Sequence, residues 1–354
     1  MGMGSQAKTY RGYIRYKLLF MLVLAAVMVF VALIAVSSGS SGIPAGDVLS
    51  ALVWKGSNRA RIVLWNIRMP RVLTAIFAGA GLASAGCAMQ SILKNPLASA
   101  STLGISQGAA FGASFAIIVL GAGIQNQTAG EVTFTNPWLV SFCAFVSAMF
   151  STMVVLGLSR LVKASPEALV LSGVALSSLF AGATTLVQYF ASDVKLAAVI
   201  FWTFGDLGRT GWKEILIMAV ISIFALVYFL LNRWNYNALQ NGEETARGLG
   251  VDTGLMRLAG MFVCSIAAAT IVSFVGIINF IGLIAPHLAR RFTGGDHRFL
   301  LPASALTGAL LLLLSDTLGR LAAAPVIMPI GAITSFLGAP LFLYLVFKRS
   351  KKRW

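Results

Sequence analysis

The sequence predicts an all-α polytopic membrane protein with about ten transmembrane helices. Of its 354 residues, 58% are hydrophobic and only 11% are charged, against about a quarter charged in a typical soluble domain. Apolar runs of roughly 20 residues, the length that crosses a bilayer as helix, recur along the chain. They do not alternate apolar with polar residues as barrel strands do. The net charge of +16 arises from basic residues gathered mostly in the loops and tails between the runs. That placement follows the positive-inside rule and argues against nucleic acid as a partner. Cys87, Cys143 and Cys264 all fall inside apolar runs, so they read as neither a disulfide framework nor a metal set.

Residues 1–17 carry Lys8, Arg11, Arg15 and Lys17 and read as a cytoplasmic tail. Residues 18–347 form one transmembrane domain. The first run, 18–36, reads as a retained helix rather than a signal peptide, because it is long for the apolar part of a leader. Residues 37–69 make an outer loop. The second helix opens at Arg68-Met-Pro-Arg71 and continues to 93; Pro70 suits a first helical turn. Lys94-Asn-Pro96 turns on the inner side. The third helix covers 102–121, where Gly104, Gly108 and Gly112 share a face open to close contact with another helix. The fourth runs over 137–158 and the fifth over 167–190.

Residues 191–209 read as an outer segment ending in the aromatic edge Phe201-Trp-Thr-Phe204. The sixth helix spans 211–231 and the seventh 258–275. Residues 277–289, interrupted by Gly282 and Pro286, give a broken eighth. The ninth covers 300–316, followed by an outer turn or partial helix over 318–329. The tenth ends near 347, and residues 348–354 are a basic tail. Ten spans put both termini on the cytoplasmic face of the membrane.

Between the sixth and seventh helices lies a polar stretch, 232–257, that a bilayer does not require. Residues 238–249 read as one short helix, with Asn237 or Thr245 able to cap it and Gly248 and Gly250 able to close it. One face carries Leu239, Ala246 and Leu249, the other Glu243, Glu244 and Arg247. Such an element suits either a docking site for a soluble partner or a solvated linker. On the fifth helix Ser177, Ala181, Thr184 and Gln188 share a stripe, with Ser178, Thr185 and Tyr189 beside it. A weakly polar stripe fits a translocation wall, and equally fits helix packing through small residues. Arg59, Arg61, Arg68, Arg71 and Arg320 fall on the outer face, where positive charge is normally scarce. They suit docking of an acidic protein through directional guanidinium–carboxylate pairs or snorkelling to lipid headgroups.

No G-x-x-x-x-G-K-[ST] occurs in the chain, so it has no phosphate-cradling loop for ATP, and no H-E-x-x-H set supports an intramembrane enzyme. The acidic residues fall in loops or at helix ends, which argues against a proton-coupled transporter. Asp316 reads as a local partner for Arg320, and His287, beside Pro286, as a structural helix-end residue.

Six motifs in fixed order now give a resemblance. They are Arg68-Met-Pro-Arg71; Gly79-Ala-Gly-Leu-Ala-Ser-Ala-Gly-Cys-Ala-Met-Gln90 with Asn95-Pro-Leu-Ala98; Leu103-Gly-Ile-Ser-Gln-Gly108; Gly242-Glu-Glu-Thr-Ala-Arg-Gly-Leu-Gly250; Phe280-Ile-Gly-Leu-Ile-Ala-Pro-His287; and Pro329-Ile-Gly-Ala-Ile-Thr-Ser-Phe-Leu-Gly-Ala-Pro340. Together they resemble the permease subunits of type II ABC importers for ferric siderophores, haem and vitamin B12, over nearly the whole chain.

The resemblance implies a homodimer with the substrate path between the copies. It implies two ATP-binding cassette subunits, which hold the ATP and magnesium, and an extracytoplasmic substrate-binding protein. Gly242, Glu243, Glu244, Ala246, Leu249 and Gly250 are implied as the ATPase-coupling contact. Arg68, Arg71 and Arg320 are implied to meet acidic residues of the binding protein. Ser177, Ala181, Thr184 and Gln188 are implied to line the path, with Ser165 and Pro166 near its inner gate. This chain itself needs no cofactor or metal. A ferric siderophore is the expected cargo, with haem and cobalamin as alternatives; an ATP-independent secondary transporter is the alternative of another class.

Overall fold

A computed structural model describes residues 3–38, 44–123, 136–162, 166–322 and 326–350, and all the regular structure among them is helical. The first helix, α1 (Met3–Ser37), is continuous, so the segment expected as a tail is an extension of the first span. The expected outer loop is largely helical. It folds into α2 (Ala45–Leu52) and α3 (Asn58–Val63), the latter capped by the Ser57 hydroxyl on the Ala60 amide at 3.2 Å. A wide turn over 64–68 then leads without a break into α4 (Met69–Ile92), with Pro70 in the first turn.

A short tight turn, Ala100–Leu103, ends at Gly104, whose φ of +75° is a left-handed conformation that glycine adopts without cost. There α5 (Ile105–Ile118) begins. It is followed by α6 (Pro137–Val162), α7 (Pro166–Tyr189), α8 (Asp193–Phe204) and α9 (Trp212–Leu231). The segment expected to be an outer loop is therefore the helix α8, and its Trp202 is buried. Next come α10 (Arg233–Gln240) and α11 (Glu243–Gly248), then α12 (Thr253–Val275), α13 (Ile281–Thr293), α14 (His297–Leu321) and α15 (Ile330–Ser350). The ninth span extends a turn beyond its expected end, to Leu321. Among the described residues, seven helices are long and apolar enough to cross a bilayer, and two further apolar stretches, Ile105–Ile118 of α5 and Ile330–Tyr344 of α15, are shorter.

The core is built around α4, which packs against α14, α9, α12 and α13. Within an 18-residue apolar stretch of each, 78% of residues are buried in the 58–92 span, against 17% in α1 and 11% in α7. Composition does not separate these helices; position in the bundle does. Small residues let the backbones touch. A Cβ on Gly79 would meet the Gly308 carbonyl oxygen and, at 2.8 Å, the Ala309 Cα. Likewise, Gly112 faces the Cys143 carbonyl of α6, the close contact expected of the third helix's glycine face. Dispersion and shape, with no water to expel, drive helix association in lipid, so these contacts set the packing.

Gly79→Ala puts its new methyl against backbone that cannot yield, and overpacking of this kind costs about 1–3 kcal/mol. Thermal unfolding in detergent is expected to shift downward for Gly79→Ala. Gly157→Ala, where the added methyl meets nothing within 4 Å, should leave the midpoint unchanged or raised.

Candidate functional site

The polar stretch 232–257 forms two helices where one was expected. The break is at Gly242, whose φ of +120° is a conformation that side-chain-bearing residues rarely adopt. Asn237 lies in the middle of α10 and Thr245 inside α11, so neither is a cap. The helix α10 is held in the protein: Tyr236, Ala238 and Leu239 are buried, and Asn237 binds Asp296 (2.9 Å) and His297. The next helix is held by its acidic end. Glu243 pairs with Arg247 (3.0 Å) and with Arg257 of α12 (3.2 Å), and accepts a hydrogen bond from the Thr253 hydroxyl (3.2 Å).

The residues expected to contact an ATPase therefore divide. Glu244, Leu249 and Gly250 are exposed, Leu249 at 69%. Ala246 is wholly buried and fixes the helix from beneath, while Glu243 and Gly242 are half-buried. Thr245, Arg247 and Gly248, outside the expected set, are exposed as well. Beside this exposed surface, an open cleft of about 370 Å³ lies between the ends of α4 and α10 and the helix α13, lined by Lys94, Gln240 and Arg290 among others. Burial alone raises the Glu243 carboxyl, but Arg257, Thr253, Arg247 and Lys94 outweigh it and hold the group below its ordinary value.

At the opposite end of the bundle the three arginines expected to await an acidic protein are committed inside the subunit. Arg68 donates to the carbonyls of Val36 (2.7 Å) and Ser37 (2.9 Å). Arg320 donates to those of Ala35 (3.1 Å) and Ser38 (3.3 Å). These are the terminal carbonyls of α1, which have no intrahelical donor and carry the negative end of the helix dipole. Arg71 and Arg320 both pair with Asp316, at 2.8 and 3.0 Å, and its carboxylate is 1% exposed. Arg71 also reaches Asp206 at 3.3 Å, a carboxylate that is 44% exposed. The Asp316–Arg320 pair was legible from its spacing of four residues. The stronger tie, Arg71 to Asp316 across 245 residues of sequence, was not.

Of the expected stripe on α7, Ala181 is exposed and Ser177, Thr184 and Gln188 are half-buried. Phe180 packs against Phe111 of α5, and Gly173 lies against the Thr102 carbonyl, which turns Ser177, Thr184 and Gln188 partly into the protein. Ser178, Ala181, Gly182, Thr185 and Tyr189 are exposed. The hydroxyls of Ser177, Ser178, Thr184 and Thr185 each donate to the carbonyl four residues back. Satisfied in this way, they line a face without demanding a partner. Of the expected gate, Pro166 is the first residue of α7 and Ser165 lies outside the described residues. His287 lies inside α13, its Nδ1 donating to the Leu283 carbonyl at 2.9 Å.

A family model described as the FecCD transport family matches residues 26–348. The chain belongs to the FecCD transport family. As a FecCD protein it is 49% identical to an ABC transporter permease protein of Methanocaldococcus jannaschii, over 97% of this chain and 98% of the relative. It is 35% identical to the Fe(3+)-citrate import system permease of Bacillus subtilis (95% and 97%) and 35% identical to the hemin transport system permease of Yersinia pestis (91% and 94%). A solved inward-facing conformation of a metal-chelate type ABC transporter superposes with a TM-score of 0.80 at 30% identity, covering 93% of this chain and 98% of the other. This FecCD chain is thus a multi-pass transport permease with the type II ABC importer fold.

Two outcomes test the geometry. Asp316→Asn leaves the guanidiniums of Arg71 and Arg320 without their buried counter-ion, and breaking a buried pair costs about 3–5 kcal/mol. Asp206→Asn removes a half-exposed partner, worth about 0–1 kcal/mol. Thermal unfolding should separate the two variants clearly. The second outcome concerns pH. The Glu243 carboxyl is depressed in the fold, so the stability it contributes is complete above the ordinary value of 4.5 and is lost as pH falls through the folded value. Hydrogen exchange of residues 243–253, corrected for intrinsic rate, should accelerate on acidification below that value. In Glu243→Gln it should be fast throughout, with no such step.

Proposed function

We propose that this chain is the membrane-spanning subunit of an ATP-driven importer that moves a ferric siderophore inward by alternating access. Haem and cobalamin are the nearest alternative cargoes. The observation that carries this reading is the α7 face. It is apolar with small hydroxyl and glycine positions, holds no charged side chain between residues 168 and 189, and is uncovered in the single subunit. A second copy of the chain covers it, and the path runs between the two. A wall whose hydroxyls are already satisfied passes a bulky chelate without trapping its charge. The similarity to a ferric citrate permease supports an iron chelate, and the equal similarity to a hemin permease keeps haem as the second reading.

Two ATP-binding cassette subunits supply ATP and magnesium and engage the exposed part of α11: Glu244, Arg247, Leu249 and Gly250. That face is cytoplasmic, both termini lie on it, and the protein sits in the cell's inner membrane. A substrate-binding protein delivers cargo at the opposite end. Docking there through Arg68, Arg71 and Arg320 works by exchange. An incoming carboxylate replaces Asp206, the most exposed of the internal partners, while Asp316 stays in place.

Reconstitution in liposomes with the ATPase and binding protein tests this, with a ferric siderophore, haem and cobalamin supplied in parallel. ATP-dependent accumulation of the ferric siderophore is expected, and charge reversal of Glu243 and Glu244 together should weaken ATPase assembly. Accumulation without the ATPase would establish a secondary transporter instead. Selective uptake of haem or cobalamin would reassign the cargo.

A further inference from the structure

At the α10 end a buried polar network joins three helices. His297, the first residue of α14, is wholly buried. Its Nε2 is 2.7 Å from the Ser91 hydroxyl of α4, and its Nδ1 is 2.8 Å from the Asn237 side-chain oxygen of α10. That oxygen also accepts from the His297 amide at 2.9 Å, while the Asn237 side-chain nitrogen donates to Asp296 at 2.9 Å. The Asn237 oxygen is only an acceptor, so Nδ1 carries the proton. In the neutral ring Nε2 is then an acceptor facing the Ser91 hydroxyl, whose proton also has the Cys87 carbonyl within reach at 3.1 Å. The imidazole also lies against the Tyr236 ring, with centroids 5.5 Å apart.

The two helices joined by His297 and Ser91 are the same two joined at the far end by Arg71 and Asp316. Between these pins, Gly79 and Gly308 bring their backbones into contact. A helix pair fixed at both ends and touching by backbone in the middle cannot slide without breaking buried polar contacts. It moves as one body. Its far end holds Asp206 and the short turn Leu207–Arg209, through Arg71.

We infer that His297, with Asn237 and Ser91, is the pin by which movement of the α10–α11 helices drives the α4–α14 pair, and through it the outer segment 206–211. This rests on α11 being the ATPase contact proposed above. His297 is a positioning residue: it touches neither nucleotide nor cargo. The second attachment of the loop, Glu243 to Arg257, leads to α12 and remains when the pin is removed, so α11 keeps its place while the polar link from α10 to α4 and α14 is cut.

The experiment uses the full chain assembled with its ATP-binding cassette subunits in lipid nanodiscs, with ATP plus vanadate as the probe. Hydrogen exchange is read at residues 242–252 and 206–211. In the wild type the nucleotide changes exchange at both. In Asn237→Leu and His297→Phe, which are close in shape, the response at 242–252 persists. The response at 206–211 falls by at least about fivefold, the lower end of a typical coupling between sites. Ser91→Ala, a small change that cuts only the α4 arm, gives a partial loss. His297→Gln, whose amide can still meet Ser91, loses less than the phenylalanine variant.

An undiminished 206–211 response in both Asn237→Leu and His297→Phe overturns the inference. So does release of the ATP-binding subunits from these variants, which would make the network a scaffold for docking alone. A wild-type chain that binds the subunits but shows no nucleotide response at 206–211 also overturns it, while the functional reading stands. A wild-type chain that binds no such subunit removes the functional reading and this inference with it.

Discussion

The rest of this structure depends on the pairing of α4 with α14. In lipid, two helices gain little by hiding apolar surface, because their surroundings are as apolar as they are. What holds them is close contact, here at Gly79 and Gly308, and polar groups that have nowhere else to go. Asp316 is the extreme case. A carboxylate that is 1% exposed survives as a charge only if its partners are fixed around it. Two arginines on different helices supply that fixing, and one of them also closes the end of α1. A single buried acid thus organises α1, α4 and α14 at one end of the bundle.

The two ends of the molecule solve different problems. At the Asp316 end, the buried charges of Arg71, Arg320 and Asp316 neutralise one another inside the subunit, and Asp206 is the partner that faces solvent. At the α10–α11 end, one helix is buried by Tyr236 and Leu239 while the next stands exposed, tied down by Glu243. An exposed element on a firm base is what a soluble partner needs, since a mobile loop would lose order on every contact. Between the ends, α7 is left uncovered, with its hydroxyls satisfied by its own backbone.

Much of this was legible residue by residue. The runs between loops, the glycine face of α5, the small polar residues of α7 and the four-residue spacing of Asp316 and Arg320 are local patterns, and helix geometry converts them directly into structure. Other readings failed for a common reason. The loop helix was taken as continuous through Gly242, although that glycine turns the chain at φ +120°. The segment containing α8 was read as an outer segment with an aromatic edge, without the helix Asp193–Phe204 that it forms. The internal partners of Arg68 and Arg71 were not foreseen, because they lie tens to hundreds of residues away in sequence.

The sequence by itself determined the helical membrane class, the transport family and the polar stretch that separates two spans. These follow from composition, run length and ordered motifs, each readable within a few dozen residues. Only the tertiary structure decided which face of each helix is buried, that Arg71 meets Asp316, and that His297 joins α10 to α4. Side chains of similar chemistry recur along the chain, and the identity of the one that lies across the contact is a property of packing, which no local pattern records.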